Sequence, residues 1–160
     1  TLLHATFEYN SLISTSIIHI TKSTNSPMIT SLNHIGIAVR DLEVSKELYK
    51  KIFGIETFHT ETVAEQMVQI ASFSIGDVLI ELTAPTSPDS PISKFLEKRG
   101  EGIHHVAFRS DDVGTELSRL NKEGIQLINP EPREGAHEML IAFLHPKSTG
   151  GVLMELCQPK

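Results

Sequence analysis

Apolar and polar positions follow the same pattern twice along this chain. The matching segments are 34–42 with 105–113, at an offset of 71 residues, and 78–85 with 152–159, at an offset of 74. A pattern that returns at a fixed spacing indicates a duplicated structural unit, whose copies pack against each other. We therefore predict two repeats, one at about 32–85 and the other at about 103–159.

Each repeat contains one amphipathic helix after its first strand. The predicted apolar stripes are Val44, Leu48 and Ile52 in repeat one, and Val113, Leu117 and Leu120 in repeat two. Asp41 can cap the first helix, and Gly54 and Gly124 mark the two C-terminal ends. The period of these residues predicts that the stripes are the packing faces of the two helices.

Strands and a linking helix complete the pattern. Short apolar or alternating runs predict strands at about 67–75, 78–83, 138–144 and 152–157. Between the repeats, Ser90 and Pro91 begin a short helix that Gly100 ends. Each repeat is thus β-α-β-β-β, and the predicted fold class is α+β, with two paired repeats that form an open, barrel-like site.

The chain has 160 residues, and the size fits one domain, predicted at 28–160. Residues 1–27 are rich in Ser and Thr and lack periodicity, which predicts a disordered N-terminal tail. Met28 precedes the first clear strand by four residues. We therefore hypothesise that Met28 is the natural start and that the tail is a gene-model extension.

Charge and composition exclude several classes of function. A net charge of -6 offers no basic surface for nucleic acid. No apolar run reaches the roughly 20 residues that cross a bilayer, so no membrane span is expected. A single cysteine, Cys157, cannot form an internal disulfide and is typical of a core residue in a reducing compartment. We expect a cytoplasmic protein.

Two histidines and two glutamates occupy equivalent positions in the repeats. His34 and His105 open the first strands, and Glu81 and Glu155 lie inside the last strands between apolar neighbours. A buried carboxylate without a partner is costly, and a bound cation removes that cost. Imidazole and carboxylate together predict a divalent metal site, which suits Co²⁺, Mn²⁺, Ni²⁺ or Zn²⁺.

Strand alternation predicts which side of the sheet holds this site. His34 shares a face with the small residues Gly36 and Ala38, so that face should line a cavity while the other packs against the helix. His104 has the opposite parity and is predicted to pack or to support a ligand. His137 and His145 either line the mouth of the cavity or lie in solvated loops.

Four longer segments carry a resemblance to a known family. They are residues 33–42, 85–91, 100–105 and 143–151. With the duplicated unit and its ligands, they resemble the vicinal oxygen chelate superfamily, which includes glyoxalase I, and within it the methylmalonyl-CoA epimerases. Glyoxalase I would be expected to carry an Asp-Pro-Asp-Gly-like turn where this chain has residues 145–148. The resemblance covers residues 32–159 and implies the same four metal ligands.

The resemblance also implies a reaction. A metal-stabilised enolate would form when the C2 proton of methylmalonyl-CoA is removed, and a proton would return on the opposite face. Glu155 is one expected acid/base. A second glutamate serves in several relatives, but our alignment places Ile70 there, and neighbouring Glu65, Gln66 and Gln69 do not clearly replace it. The sequence therefore does not identify the second acid/base.

Ligand and partner expectations follow from the same family. Coenzyme A is anionic, so Lys147 and Ser148 are candidate contacts with the acyl-CoA substrate. The resemblance implies a homodimer, and we take Co²⁺ as the leading metal. The alternatives are a glyoxalase I-like lactoylglutathione lyase, or another enzyme of this fold, and a non-catalytic binding module, against which the four ligands argue.

Overall fold

A computed structural model describes residues 29–160, so Met28 and the predicted N-terminal tail lie outside the described part. The described elements are β1 (Ile29–Ala38), α1 (Leu42–Phe53), β2 (His59–Val63), β3 (Val68–Ile75), β4 (Val78–Pro85), α2 (Pro91–Arg99), β5 (Gly102–Ser110), α3 (Val113–Lys122), β6 (Arg133–Glu134), β7 (Met139–Leu144) and β8 (Met154–Pro159). None of these helices is long and apolar enough to pass through a bilayer.

The eight strands form one sheet in the order β2-β3-β4-β1-β5-β8-β7-β6. At its centre, β1 and β5 pair antiparallel, and each pairs on its other side in parallel with the last strand of its own repeat. The order of repeat one, β1 to β4, is therefore the mirror of the order of repeat two, β5 to β8. This curled sheet, with α1 and α3 packed on one side, confirms the predicted α+β architecture of two paired βαβββ repeats.

The ends of the helices follow from local capping. The side chain of Asp41 accepts a hydrogen bond from the backbone N–H of Val44, and Gly54 ends α1 in a left-handed conformation with φ of 64°. Ser90 caps α2 by accepting from the N–H of Ile92. Each cap satisfies a backbone N–H that the first helical turn leaves free. The predicted bounds of α1 and α2 are confirmed.

The predicted packing face of α1 is wrong. Val44, Leu48 and Ile52 are 67%, 53% and 59% exposed, and the buried residues of α1 are instead Leu42 and Ser45. In α3 the predicted stripe is buried: Val113 is 0% and Leu117 1% exposed, with Leu120 packed against their cluster. The two apolar stripes therefore lie on different faces of equivalent helices.

One face of the sheet packs against α1 and α3, whereas the other is concave and has α2 packed at one end of it. Ile35, Ile37 and Val39 pack with Leu42 of α1, as the alternation predicted. The concave face carries His34 and, at alternate positions of the same strand, the small residues Gly36 and Ala38. β2 and β6, which sequence periodicity did not locate, form the two free edges of the sheet.

Candidate metal centre and active site

The four predicted ligands converge on the concave face at the centre of the sheet. The Nε2 atoms of His34 and His105 lie 3.0 Å apart. From His34 Nε2, Glu81 Oε2 and Glu155 Oε1 are each 3.7 Å away, and His105 Nε2 is 3.6 Å from Glu155 Oε2. All four side chains are buried. The structure thus brings together the residues that the duplication paired.

Strand register explains this convergence. In the central pair of strands, Gly36 of β1 lies opposite His105 of β5, and His34 lies opposite Ala107. In the parallel neighbour β4, Glu81 lies level with Gly36. A Cβ atom added to Gly36 would lie 2.1 Å from Cε1 of the His105 ring. Since real Cβ atoms do not approach other atoms so closely, the absence of a side chain at Gly36 makes room for that imidazole.

Neighbouring side chains orient the two imidazoles. His34 Nδ1 is 2.8 Å from Asn33 Oδ1, which accepts a hydrogen bond, so Nδ1 carries the proton and Nε2 offers a lone pair. His105 Nδ1 is 3.0 Å from His104 Nδ1. The pairing of β1 with β5 shifts register beside Gly36, at the position of His104. The ring of His104 packs edge-on against the ring of Phe95. His104 is therefore a supporting residue.

Burial shifts the protonation of these groups in a consistent direction. It lowers the pKa of His34 and places that of His105 well below the ordinary value, so both rings are held neutral. Burial, followed by the charge of Glu81, raises the pKa of Glu155 well above its ordinary value. Burial also lowers the pKa of His104 to about 4. Neutral imidazole is the form that binds metals.

The arrangement fits a divalent cation. Donor atoms at about 2.0–2.2 Å from a common centre lie roughly 3.0–3.5 Å from one another, close to the separations observed here. Glu81 and Glu155 are buried, and among the described residues their carboxylate oxygens have histidine nitrogens but no Lys or Arg within 4.0 Å. A cation would compensate both carboxylates. His34, Glu81, His105 and Glu155 can therefore hold a divalent metal ion.

The four residues lie in a cavity of about 770 Å³. That volume is in the range of sites for small-molecule ligands. Arg109 and Arg133 contribute positive charge to its lining. Lys147 and Ser148 belong to a short 3₁₀ helix and do not line this cavity; Ser148 Oγ instead accepts a hydrogen bond from the backbone of Gln126. Their contact with coenzyme A stays a prediction.

Sequence reasoning left His137 and His145 open between the mouth of the cavity and a solvated loop. His137 lines the cavity, with Nε2 3.2 Å from Glu81 Oε1, and this carboxylate raises the pKa of His137. Glu65 also lines the cavity, whereas Ile70 is a buried apolar wall residue. His145 accepts a hydrogen bond from the backbone N–H of Lys147 and is not part of the lining. No periodicity marked His137 or Glu65, because both lie outside regular strands.

Cys157 is buried near the four ligands but does not join them. Burial raises the pKa of its thiol to about 12, and Sγ donates to the carbonyl oxygen of Phe108 at 3.4 Å. Since the thiolate is the form that binds metals, this side chain acts as a small core residue at neutral pH.

The sequence and the fold have clear relatives. Residues 33–143 match the family described as the glyoxalase, bleomycin resistance protein and dioxygenase superfamily. An uncharacterized Bacillus subtilis protein, YqjC, is 45% identical over 81% of this chain and 92% of its own length. A mitochondrial methylmalonyl-CoA epimerase of Dictyostelium discoideum is 39% identical, over 80% of this chain and 78% of that protein.

A solved structure of a methylmalonyl-CoA epimerase in complex with methylmalonyl-CoA and an ammonium ion has a TM-score of 0.77. It is 40% identical and covers 82% of this chain and 96% of that one. The chain belongs to the glyoxalase, bleomycin resistance protein and dioxygenase superfamily. Several of its relatives within that superfamily are methylmalonyl-CoA epimerases, so it is an enzyme of the isomerase class.

Proposed function

We propose that this protein is a metal-dependent epimerase that interconverts (2R)- and (2S)-methylmalonyl-CoA through loss and return of the C2 proton. The observation that carries the proposal is the position of Glu155, a buried carboxyl group among three further metal-binding side chains in a ligand-sized cavity. The Dictyostelium discoideum relative is a methylmalonyl-CoA epimerase, and another such epimerase has been solved with methylmalonyl-CoA bound.

His34, Glu81, His105 and Glu155 would hold the cation, for which Co²⁺ is our leading candidate over Mn²⁺, Ni²⁺ or Zn²⁺. When bound, such a cation polarises the thioester carbonyl and makes the adjacent C–H more acidic. Asn33 and His104 keep the two imidazoles neutral and correctly turned.

Glu155 is the proposed acid/base on one face of the substrate. Burial raises its pKa, which favours proton transfer between this carboxyl group and C2. Its carboxylate oxygens lie beside the other ligands, where the α-carbon of a bound thioester would be within reach.

The second acid/base must reach the opposite face of C2, because the configuration inverts. Four carboxyl groups line the cavity: Glu65, Asp77, Glu81 and Glu155. Glu65 follows the edge strand of repeat one, whereas Glu155 comes from repeat two. We propose Glu65 as the second group, since it reaches the cavity from the other half of the sheet, and Ile70 as an apolar wall.

Arg109 and Arg133 supply positive charge toward the anionic groups of the substrate. The positive charge of Arg133 lowers the pKa of Glu155, although burial raises that pKa by more. The charge of Arg133 therefore acts at the centre of the site. We propose Arg133 for the free carboxylate of the acyl group. Lys147 and Ser148 remain proposed contacts for the more distant part of coenzyme A.

A homodimer is also proposed, with α1 as its contact surface. Val44, Leu48 and Ile52 form an exposed apolar stripe. Acidic Glu43 lies in the first turn of α1 and basic Lys50 and Lys51 in the last, so two antiparallel copies of α1 would place opposite charges together. A second copy of this chain is therefore the proposed occupant. The domain bounds and the cytoplasmic location remain predictions.

Deuterium exchange at C2 tests the epimerase proposal. Metal-loaded wild-type enzyme in D₂O should exchange the C2 proton of (2R)- or (2S)-methylmalonyl-CoA with inversion. Glu155→Gln should slow exchange by about 10²–10⁴-fold, the usual contribution of a general acid/base. Glu65→Gln should slow inversion of the C2 configuration. One of the two epimers should still exchange its C2 proton for deuterium with its configuration retained.

Three results would contradict the proposal or part of it. Absence of exchange with each of the four metals would exclude epimerisation, and formation of a glutathione thioester from methylglyoxal and glutathione would favour the lyase alternative. Equal exchange by wild type and Glu155→Gln would remove Glu155 from the mechanism. Asp77→Asn, which changes another carboxyl group of the lining, is the matched control.

A further inference from the structure

The two free edges of the sheet meet at a small cluster of polar side chains. The loop between β6 and β7 reaches β2, where the backbone N–H of His137 donates to Glu61 Oε2 at 3.0 Å. The rings of His59 and His137 have their centroids 5.2 Å apart. This contact joins the two edges across the opening of the barrel.

Three potential metal donors face one another in this cluster. His59 and Glu61 are two residues apart on β2 and so lie on the same side of the strand. His59 Nε2 is 3.9 Å from Glu61 Oε2. One ligand atom from each of His59, Glu61 and His137 lies within 4.8 Å of the others.

Two further observations set His137 apart from an ordinary loop histidine. Its backbone is left-handed, with φ of 54°, and so is that of Glu138, with φ of 55°. Non-glycine residues adopt this conformation at a cost that surrounding contacts must offset. In addition, His137 Nε2 is buried and lies 3.2 Å from Glu81 Oε1.

We propose that His59, Glu61 and His137 form a second site for a first-row divalent cation of the Zn²⁺ class. Two imidazole nitrogens and one carboxylate oxygen suit such a cation, with water in the remaining position. His59 is 63% exposed at its side chain, so it can turn to close the shell and leaves a path for the ion to enter.

The second site shares no ligand with the central one. It joins β2 to the loop that supplies Ala136 and His137 to the cavity lining. A cation bound there fastens this loop over one side of the cavity and ties the free edges of the sheet together. The inference does not rest on the epimerase activity.

Zinc stoichiometry tests the proposal on the full chain stripped of metal. Wild type should bind two equivalents of Zn²⁺ in a calorimetric titration. His59→Ala should weaken one equivalent by at least about tenfold and leave the other unchanged, and His34→Ala should do the reverse. His145→Ala removes a histidine outside both clusters and should retain both equivalents.

A second measurement separates binding at this cluster from adventitious binding. Zn²⁺ at two equivalents should raise the melting temperature of wild type above its value at one equivalent, and this further rise should be absent in His59→Ala. If His59→Ala and wild type bind the same number of ions with the same affinities, the second site does not exist. If wild type binds one equivalent, which His59→Ala loses and His34→Ala keeps, the second site exists and the central site is the one that fails.

Discussion

The two repeats are alike on their concave faces and different on their helical faces. The offset of 71 residues that pairs His34 with His105 also pairs Leu42 with Val113, and both are buried. The same offset pairs Leu48 of α1 with Arg119 of α3. Leu48 is 53% exposed, whereas Arg119 donates hydrogen bonds to the buried carboxylate of Glu116.

This difference separates two kinds of constraint. The concave faces must both supply a histidine and a glutamate to one centre, so their alternation is shared. Each helix covers its own half of the sheet and can meet a different environment on its outer side. An outer face that is polar in α3 and apolar in α1 is therefore consistent with the proposed dimer contact at α1.

The largest effect is expected from truncation of a buried helix residue in repeat two. Leu117→Ala should lower the free energy of unfolding by about 3 kcal/mol, because Leu117 is fully buried and its loss leaves a cavity. Lys46→Ala changes the equivalent position of α1, which is only half-buried, and should cost less than about 1 kcal/mol. Urea unfolding measures both. Equal losses would show that the two helices are packed alike.

The next effect concerns the central pair of strands. Gly36→Ala should weaken metal binding by about 100-fold, because the new methyl group displaces the His105 ring. The equivalent residue in repeat two is Ala107, which already tolerates a Cβ beside His34. Ala107→Gly should therefore leave metal affinity nearly unchanged. Titration of each metal-free variant with Co²⁺ measures its metal affinity. An unchanged affinity in Gly36→Ala would contradict the steric argument.

A smaller effect is expected on the exposed stripe of α1. Leu48→Arg gives α1 the residue that α3 has at the same place, and should raise the dimer dissociation constant by about tenfold or more without loss of folding. Analytical ultracentrifugation over a concentration series measures this constant. Asn121→Arg, an exposed change on α3, is the control. A wild-type chain that is monomeric throughout would remove the assigned interface.

The smallest effect concerns the cap of α3. The backbone N–H and the hydroxyl of Thr115 both donate to Asp112, at 2.9 and 2.8 Å, and these bonds lower the pKa of Asp112 in the folded state. Its ionised form therefore stabilises the fold above the unfolded-state pKa, and this contribution is lost as the pH falls through the folded-state pKa. Asp112→Asn should reduce the loss of stability between about pH 4 and pH 2.5. Urea midpoints across that range measure the difference, and parallel curves would show that the cap does not contribute.

Sequence patterns could predict the elements that depend on local chemistry. Asp41, Gly54 and Ser90 marked helix ends because capping satisfies nearby backbone groups. The four proposed ligands were found because duplication repeated the same residues at the same parity. The position of His137 was left open and Glu65 was not assigned to the cavity, since each reaches it from a segment outside the strands that no period describes.

The amino-acid sequence by itself determined the repeats, the helix ends and the side of each strand that faces the cavity. These features depend on neighbours along the chain and on the two-residue period of a strand. Only the tertiary structure decided which face of α1 is covered, that His105 needs Gly36, and that His59 meets His137 across the open edges. Such contacts join residues far apart in the chain, and their distances exist only once the sheet has curled.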